Sequence, residues 1–209
     1  MHKNLALTTL LGLLLASPVF AQVGNNQGLV NPNLADTAEL TALPHVNAAL
    51  AQAIIAARPL LTAAQLDAVV SASLNADQKT ELYGRLFRPL NLNTASEAEI
   101  MLIPGMTGRM AHEFDEYRPY SSMEQFRREI GKYVDADEVA RLEQYVFSPM
   151  SLNTASEDDF MTIPGMTGRM THEFEEYRPY SSMEQFRREI GKYVDEDEVA
   201  RLESYVTLD

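Results

Sequence analysis

The chain has 209 residues, with 17 lysines and arginines against 30 aspartates and glutamates, a formal net charge of −13. That balance argues against a general electrostatic grip on nucleic acid and against an anionic membrane surface, both of which need positive charge. With no cysteine, disulfides and thiolate zinc sites are excluded.

The first 21 residues read as a secretory signal peptide: Lys3, then the apolar run "LALTTLLGLLLA", then small residues around a cleavage point after Ala21. The expected location is therefore periplasmic or secreted. Residues 22–30, "QVGNNQGLV", read as a short flexible lead. No later stretch approaches the ~18 consecutive apolar residues of a spanning helix.

The rest is repetitive. Residues 91–147 and 151–207 align at an offset of sixty with ten differences, so 57 − 10 = 47 positions are identical. Residues from Arg58 onward, "RPLLTAAQLDAVV", lie ungapped over "RPYSSMEQFRREI" from Arg118, which makes a fainter copy. Self-similarity at a fixed period signals a repeat architecture, with blocks at 31–90, 91–150 and 151–209. The Pro-marked joints are "RPLNLN" and "SPMSLN". Stacked blocks of this size would bury shared apolar surface.

Four short helices are expected in each block, giving an all-α fold with no alternating β pattern. In the second block Ser96 and Glu99 form a capping box, and Pro104-Gly105 ends that helix. The next helix runs from about Arg109 to Tyr117. Ser121 with Glu124 opens a third, closed by Gly131, and Asp135 with Glu138 opens a fourth, "DEVARLEQYVF". Met101, Phe114, Tyr117, Met123, Phe126 and Tyr145 are expected in the core. Each pair of helices meets at a tight turn, "PGMTG" or "GKYVD".

The stretch "LNTASEAEIMLIPGMTGRMAHEF" resembles the helix-hairpin-helix domain of the competence protein ComEA family, which has an LNTA-type start and a Leu/Ile-Pro-Gly hairpin. The resemblance covers 91–150 and 151–209 and reaches 31–90 weakly. It implies binding of double-stranded DNA through the backbone, without sequence specificity, by amide groups of a glycine-hydrophobic-glycine turn and the following helix N-terminus. The matching positions are Gly105, Met106 and Thr107, with glycine displaced to Gly108 and a cation at Arg109. The same holds for Gly165, Met166, Thr167, Gly168 and Arg169. Thr107 departs from the glycine pattern; it disfavours positive φ but could donate its hydroxyl. The second turn offers Lys132 and, in the last block, Lys192. In the first block, "PHVNA" lacks glycine, and Asn47 is the residue expected to take left-handed geometry. The extrinsic photosystem II subunit of the same fold binds protein, so a protein partner is the alternative.

Charge weighs on the other side. Residues 22–90 carry net −1 (four basic, five acidic), 91–150 net −5 (six, eleven) and 151–209 net −8 (six, fourteen). Glu113, Asp115 and Glu116 follow Arg109 on its own helix. Arg127, Arg128 and Lys132, and their copies Arg187, Arg188 and Lys192, could form a basic face. They could equally serve as helix C-terminal cations with pairs such as Glu124–Arg128. His112 and Glu116 at i, i+4 read as an ion pair or cap rather than a metal site. "DADE" at 135–138 and "DEDE" at 195–198 lack the glycine and spacing of a calcium loop. No catalytic motif is present, so neither an enzyme nor a cofactor is expected.

Overall fold

A computed structural model describes residues 28–208; the expected signal peptide and most of the lead lie outside them. Among the described residues the fold is all-α: twelve helices, with only two-residue strands. The first segment holds α1 (Thr37–Thr41), α2 (Ala48–Ala56), α3 (Ala63–Ser71) and α4 (Ala76–Tyr83). The second holds β1 (Leu90–Asn91), α5 (Glu97–Ile100), α6 (Gly108–Glu116), α7 (Met123–Ile130), α8 (Ala136–Glu143) and β2 (Val146–Phe147). The third repeats it with β3 (Met150–Ser151), α9 (Glu157–Phe160), α10 (Gly168–Glu176), α11 (Met183–Ile190), α12 (Glu196–Glu203) and β4 (Val206–Thr207).

Each segment is tied at its head by one asparagine. Asn33 accepts from Leu60 N–H at 2.7 Å and donates to Leu60 C=O at 2.9 Å. Asn93 does the same with Tyr120, at 2.6 and 2.9 Å, and Asn153 with Tyr180, at 2.7 and 3.1 Å. An arginine completes the clasp. Arg118 donates from Nε to Leu92 C=O at 2.5 Å and from a terminal nitrogen to Ala95 C=O at 2.6 Å. Arg58 holds Pro32 and Ala35, and Arg178 holds Leu152 and Ala155, in the same way. These bonds satisfy carbonyls of an irregular loop that no helix can serve. They give the "LNTA" and "RP" pairs a structural role.

The ends of each segment meet in parallel pairing. Val30 bridges Leu86, Leu90 pairs Val146, and Met150 pairs Val206. The end of the expected flexible lead is therefore tied down, with Val30 N–H bonded to Arg85 C=O at 2.7 Å. Strands of two residues are too short to show an alternating pattern. The fourth helix accordingly ends at Glu143 instead of running on through Phe147. The third opens on Ser122, whose side chain accepts from Gln125 N–H, rather than on Ser121 with Glu124. Gly131 closes α7 without positive φ; a Cβ there would stand 2.7 Å from Arg127 C=O.

Aromatic rings carry the core across the joints. Phe87 packs edge-on to Tyr145 at 5.0 Å, and Phe147 meets Tyr205 at 4.7 Å. One buried cluster runs from Ala35 to Val146 and a second from Phe147 to Val206. Phe114, Met123, Phe126 and Tyr145 are buried as expected, but Met101 is 44% exposed. It caps a four-residue helix, too short to turn that side chain inward.

The first segment also reaches the third. Arg88, 1% exposed, donates to Leu60 and Pro89 carbonyls, to Tyr205 Oη at 2.9 Å and to Ser204 Oγ at 2.7 Å. Its guanidinium lies 4.5 Å from the Tyr205 ring centre. Among the described residues no carboxylate lies within 4 Å of it, and burial pushes its pKa down.

Replacing Asn33 by alanine strands the buried Leu60 N–H, while the Leu60 C=O keeps its bond from Arg88 Nε. The expected loss is about 1–3 kcal/mol of unfolding free energy in urea. A loss under about 0.5 kcal/mol would place Asn33→Ala among ordinary surface changes and show the clasp to be idle.

Candidate nucleic-acid interface

The turn between α5 and α6 is set by one residue with positive φ. Gly105 sits at φ +78°, which a Cβ makes costly. Met106 N–H then closes on Ile103 C=O at 3.0 Å. Thr107 stays extended at φ −118°, ψ 152°, and is the N-cap of α6: its Oγ1 accepts from Met110 N–H at 3.3 Å. The threonine in the second glycine position thus needs no left-handed geometry, and its hydroxyl serves the helix. Gly108 begins α6, and nothing lies within 4 Å of a Cβ built on it.

What remains is a set of free donors. Among the described residues, no chain acceptor takes the N–H of Gly105, Thr107, Gly108 or Arg109, and all four residues are exposed. The last three stand at or beside the N-terminus of a nine-residue helix, whose first amides point along its positive end. The third segment repeats this: Gly165 at φ +77°, Thr167 capping Met170 N–H at 3.3 Å, then Gly168 and Arg169.

The first segment solves the turn differently. His45, at φ 63°, takes the left-handed position and lies 2.8 Å from Glu81 Oε2. Asn47, expected in that role, is instead the N-cap of α2, accepting from Leu50 N–H at 2.9 Å. No cation follows, since the residue matching Arg109 is Ala49.

Behind the second segment's turn stands Arg141, which sequence reasoning passed over. It donates to Pro104 C=O at 2.7 Å and grips both oxygens of Glu138 at 2.7 Å. The guanidinium holds the Glu138 carboxyl below its ordinary range. Arg201 repeats this on Pro164 and Glu198. The only sequence signal is the Glu138–Arg141 spacing; the contact to Pro104 spans 37 residues.

The other expected cations are spoken for. Lys132 bonds the Glu129 carboxylate and lies 4.8 Å over the Tyr117 ring, and Lys192 does the same with Glu189 and Tyr177. Hydrogen bonding from Lys132 first, then Arg128, keeps Glu129 below its usual range. Arg127 pairs with Glu143 at 2.5 Å, and Arg128 with Glu129 at 2.9 Å rather than with Glu124. No contact joins Lys132 or Lys192 to the first turn of its segment.

Of the acids that follow Arg109, Asp115 pairs with Arg118 at 2.6 Å, and Glu116 stands 3.9 Å from His112, which is exposed like it and is a cation only when protonated. Glu113 is buried, and its Oε2 has no hydrogen-bond partner. Bonding to Tyr117, then to Glu113, pushes the Tyr133 phenol up from its ordinary pKa.

The basic residues therefore divide cleanly. The second segment has six; Arg118, Arg127, Arg128, Lys132 and Arg141 each have a carboxylate within 4 Å. Arg109 has no ion pair among the described residues. In the third segment Arg178, Arg187, Arg188, Lys192 and Arg201 are paired, and Arg169 is the exception, lying 5.8 Å from the Tyr193 ring centre. No family model matches the chain, and neither a curated protein nor a solved structure matches it.

The two glycines of the turn should respond oppositely to alanine. Gly105→Ala is expected to cost about 1–2 kcal/mol by urea unfolding, because of its φ. Gly108→Ala, at ordinary helical geometry, is expected to be neutral or stabilising by up to about 1 kcal/mol. Equal losses at both would contradict the turn described.

Proposed function

We propose that this is an exported protein that holds duplex DNA by its phosphate backbone, without sequence preference, through the turns at Gly105–Arg109 and Gly165–Arg169. The observation that carries the reading is the charge partition. In each duplicated segment the unpaired cation is the arginine beside the free amides of the turn. An anion placed there meets backbone N–H donors, a helix N-terminus and an uncommitted guanidinium together. The ComEA-like resemblance supplies the ligand class.

The acidic surface opposes approach but does not reach far. At physiological ionic strength the field of exposed carboxylates decays over about 8 Å. Asp115, Glu129, Glu138 and Glu143 are neutralised locally by cations of their own segment, so the opposing field comes from the remaining carboxylates. Gly105, Thr107, Gly108 and Arg109 are the contacts assigned to phosphate, as are Gly165, Thr167, Gly168 and Arg169. Lys132 and Lys192 are left to their glutamates.

Duplex binding measured against salt should fall log-linearly, with a slope of about −0.9 per phosphate contacted. Combining Arg109→Glu with Arg169→Glu should abolish it, whereas Lys132→Ala with Lys192→Ala should change affinity by less than about threefold. A salt-independent affinity, or full binding by the double arginine variant, rules the mechanism out. Lack of binding by the native protein at low salt leaves the protein-partner alternative.

A further inference from the structure

The joint between the second and third segments holds a cleft of about 640 Å³, away from both glycine turns. The chain is 22% charged, yet none of the described residues lining this cleft carries a charge. Its hydrogen-bonding groups include Asn91 and Thr94 from the second segment and Thr154 and Thr207 from the third. Asn91 Oδ1 accepts from Asn93 N–H at 2.9 Å, which leaves the Nδ2 amine as the free end of that amide. Among the described residues no hydrogen bond engages Asn91 Nδ2 or the hydroxyls of Thr94, Thr154 and Thr207. Pro119, Pro149 and Val206 supply apolar wall between them.

This polarity is particular to the one joint. Sixty residues earlier, the positions of Thr94, Ser121 and Thr207 are held by Leu34, Leu61 and Phe147. The sequence is apolar there at three places where the later joint has hydroxyls. The cleft also continues. A neighbouring compartment of about 430 Å³ shares Asn91, Thr94 and Val206 with it and adds Arg88, Glu99 and Glu203. Those charges leave little net field: Glu203 is paired with Arg187 at 2.5 Å, and Arg88 and Glu99 are opposite in sign.

We infer that this joint binds a neutral oligosaccharide. A sugar hydroxyl both donates and accepts, and the threonine hydroxyls that face it do the same. The C–H faces of a sugar ring match proline and valine. A phosphate, sulfate or carboxylate draws its affinity from charged donors, and the cleft offers none, so it is not a second nucleic-acid contact. Its volume lies within the ordinary range of small-molecule sites, about 300–1,000 Å³. The second compartment, joined at Asn91 and Thr94, extends the site beyond a single ring. The inference stands independently of the nucleic-acid reading.

Amide chemical-shift mapping on the mature protein tests this, with cellotetraose, maltotetraose and tetra-N-acetylchitotetraose as probes. At tens of millimolar, at least one should give saturable shifts centred on Asn91–Thr94, Pro149–Thr154 and Val206–Thr207. No saturable shift there with any of the three overturns the inference. Thr94→Val and Thr154→Val remove one hydroxyl each at exposed positions, and an otherwise unchanged spectrum reports that the fold is kept. Each should weaken the responding sugar about fivefold or more; unchanged affinity in both would also overturn it. A sulfated heparin tetrasaccharide should leave these residues unshifted, and binding there as tight as that of the neutral sugar overturns the ligand class. Arg109→Glu combined with Arg169→Glu should change the sugar affinity by less than about twofold, as expected of distant sites. Loss of sugar binding in that variant would put the sugar on the turns and end the proposal.

Discussion

The fold depends on the reciprocal pair of hydrogen bonds that one asparagine makes with the backbone of a residue 27 positions later. Each segment begins with an irregular loop whose carbonyls have no helix to serve them. Left buried and unmet, each such group would cost about 1–3 kcal/mol. The asparagine closes the loop onto the chain beyond the second helix, and the following Arg-Pro pair locks the other side. With head and middle joined, the first two helices are held at a fixed separation, and the turn between them is presented with one glycine at positive φ. The order of dependence runs from clasp to helix pair to turn.

The second level is electrostatic. An acidic chain with few cations has to spend them somewhere, and here nearly all go to internal pairs. Arg127 with Glu143 joins α7 to α8. Arg141 with Glu138 braces Pro104. Lys132 with Glu129 closes the second turn. Half-exposed pairs of this kind contribute little stability each, about 0–1 kcal/mol. Their larger effect is on the field outside, since every internal pair removes one positive and one negative charge from it. The pairing leaves the net charge of −13 unchanged, so the field that opposes an anion at each turn comes from the carboxylates without a cation, and the arginine of the turn stands without a partner against it.

Much of the architecture was legible in the sequence, and the reasons are local. Ser96 with Glu99 and Asp135 ahead of Glu138 signal helix starts because capping acts within one turn. Gly105 announces its φ because proline precedes it. Ser121 misled because two serines stand together, and the choice between them depends on Gln125, whose amide also reaches Tyr117 C=O. The strands were invisible, being two residues long and paired across a whole segment. In the first turn, Asn47 looked like the left-handed residue on propensity, yet its side chain is better used as a cap, and His45 takes the strained position. The candidate site divided along the same line. Glycines and caps could be read, but which cations were already taken could not, because Glu143 and Pro104 meet their arginines across 16 and 37 residues.

Arg88 makes the completion of the molecule a late event. The strand pairings that close each segment join residues within sixty positions of one another, while the first two segments share the buried cluster from Ala35 to Val146. The Arg88 guanidinium has to wait for a hydroxyl 117 residues downstream. Until Tyr205 and Ser204 arrive, that charge is better served by water than by the protein interior. The joint of the first segment, the one least like its neighbours, can therefore be fully buried only with the end of the last helix in place.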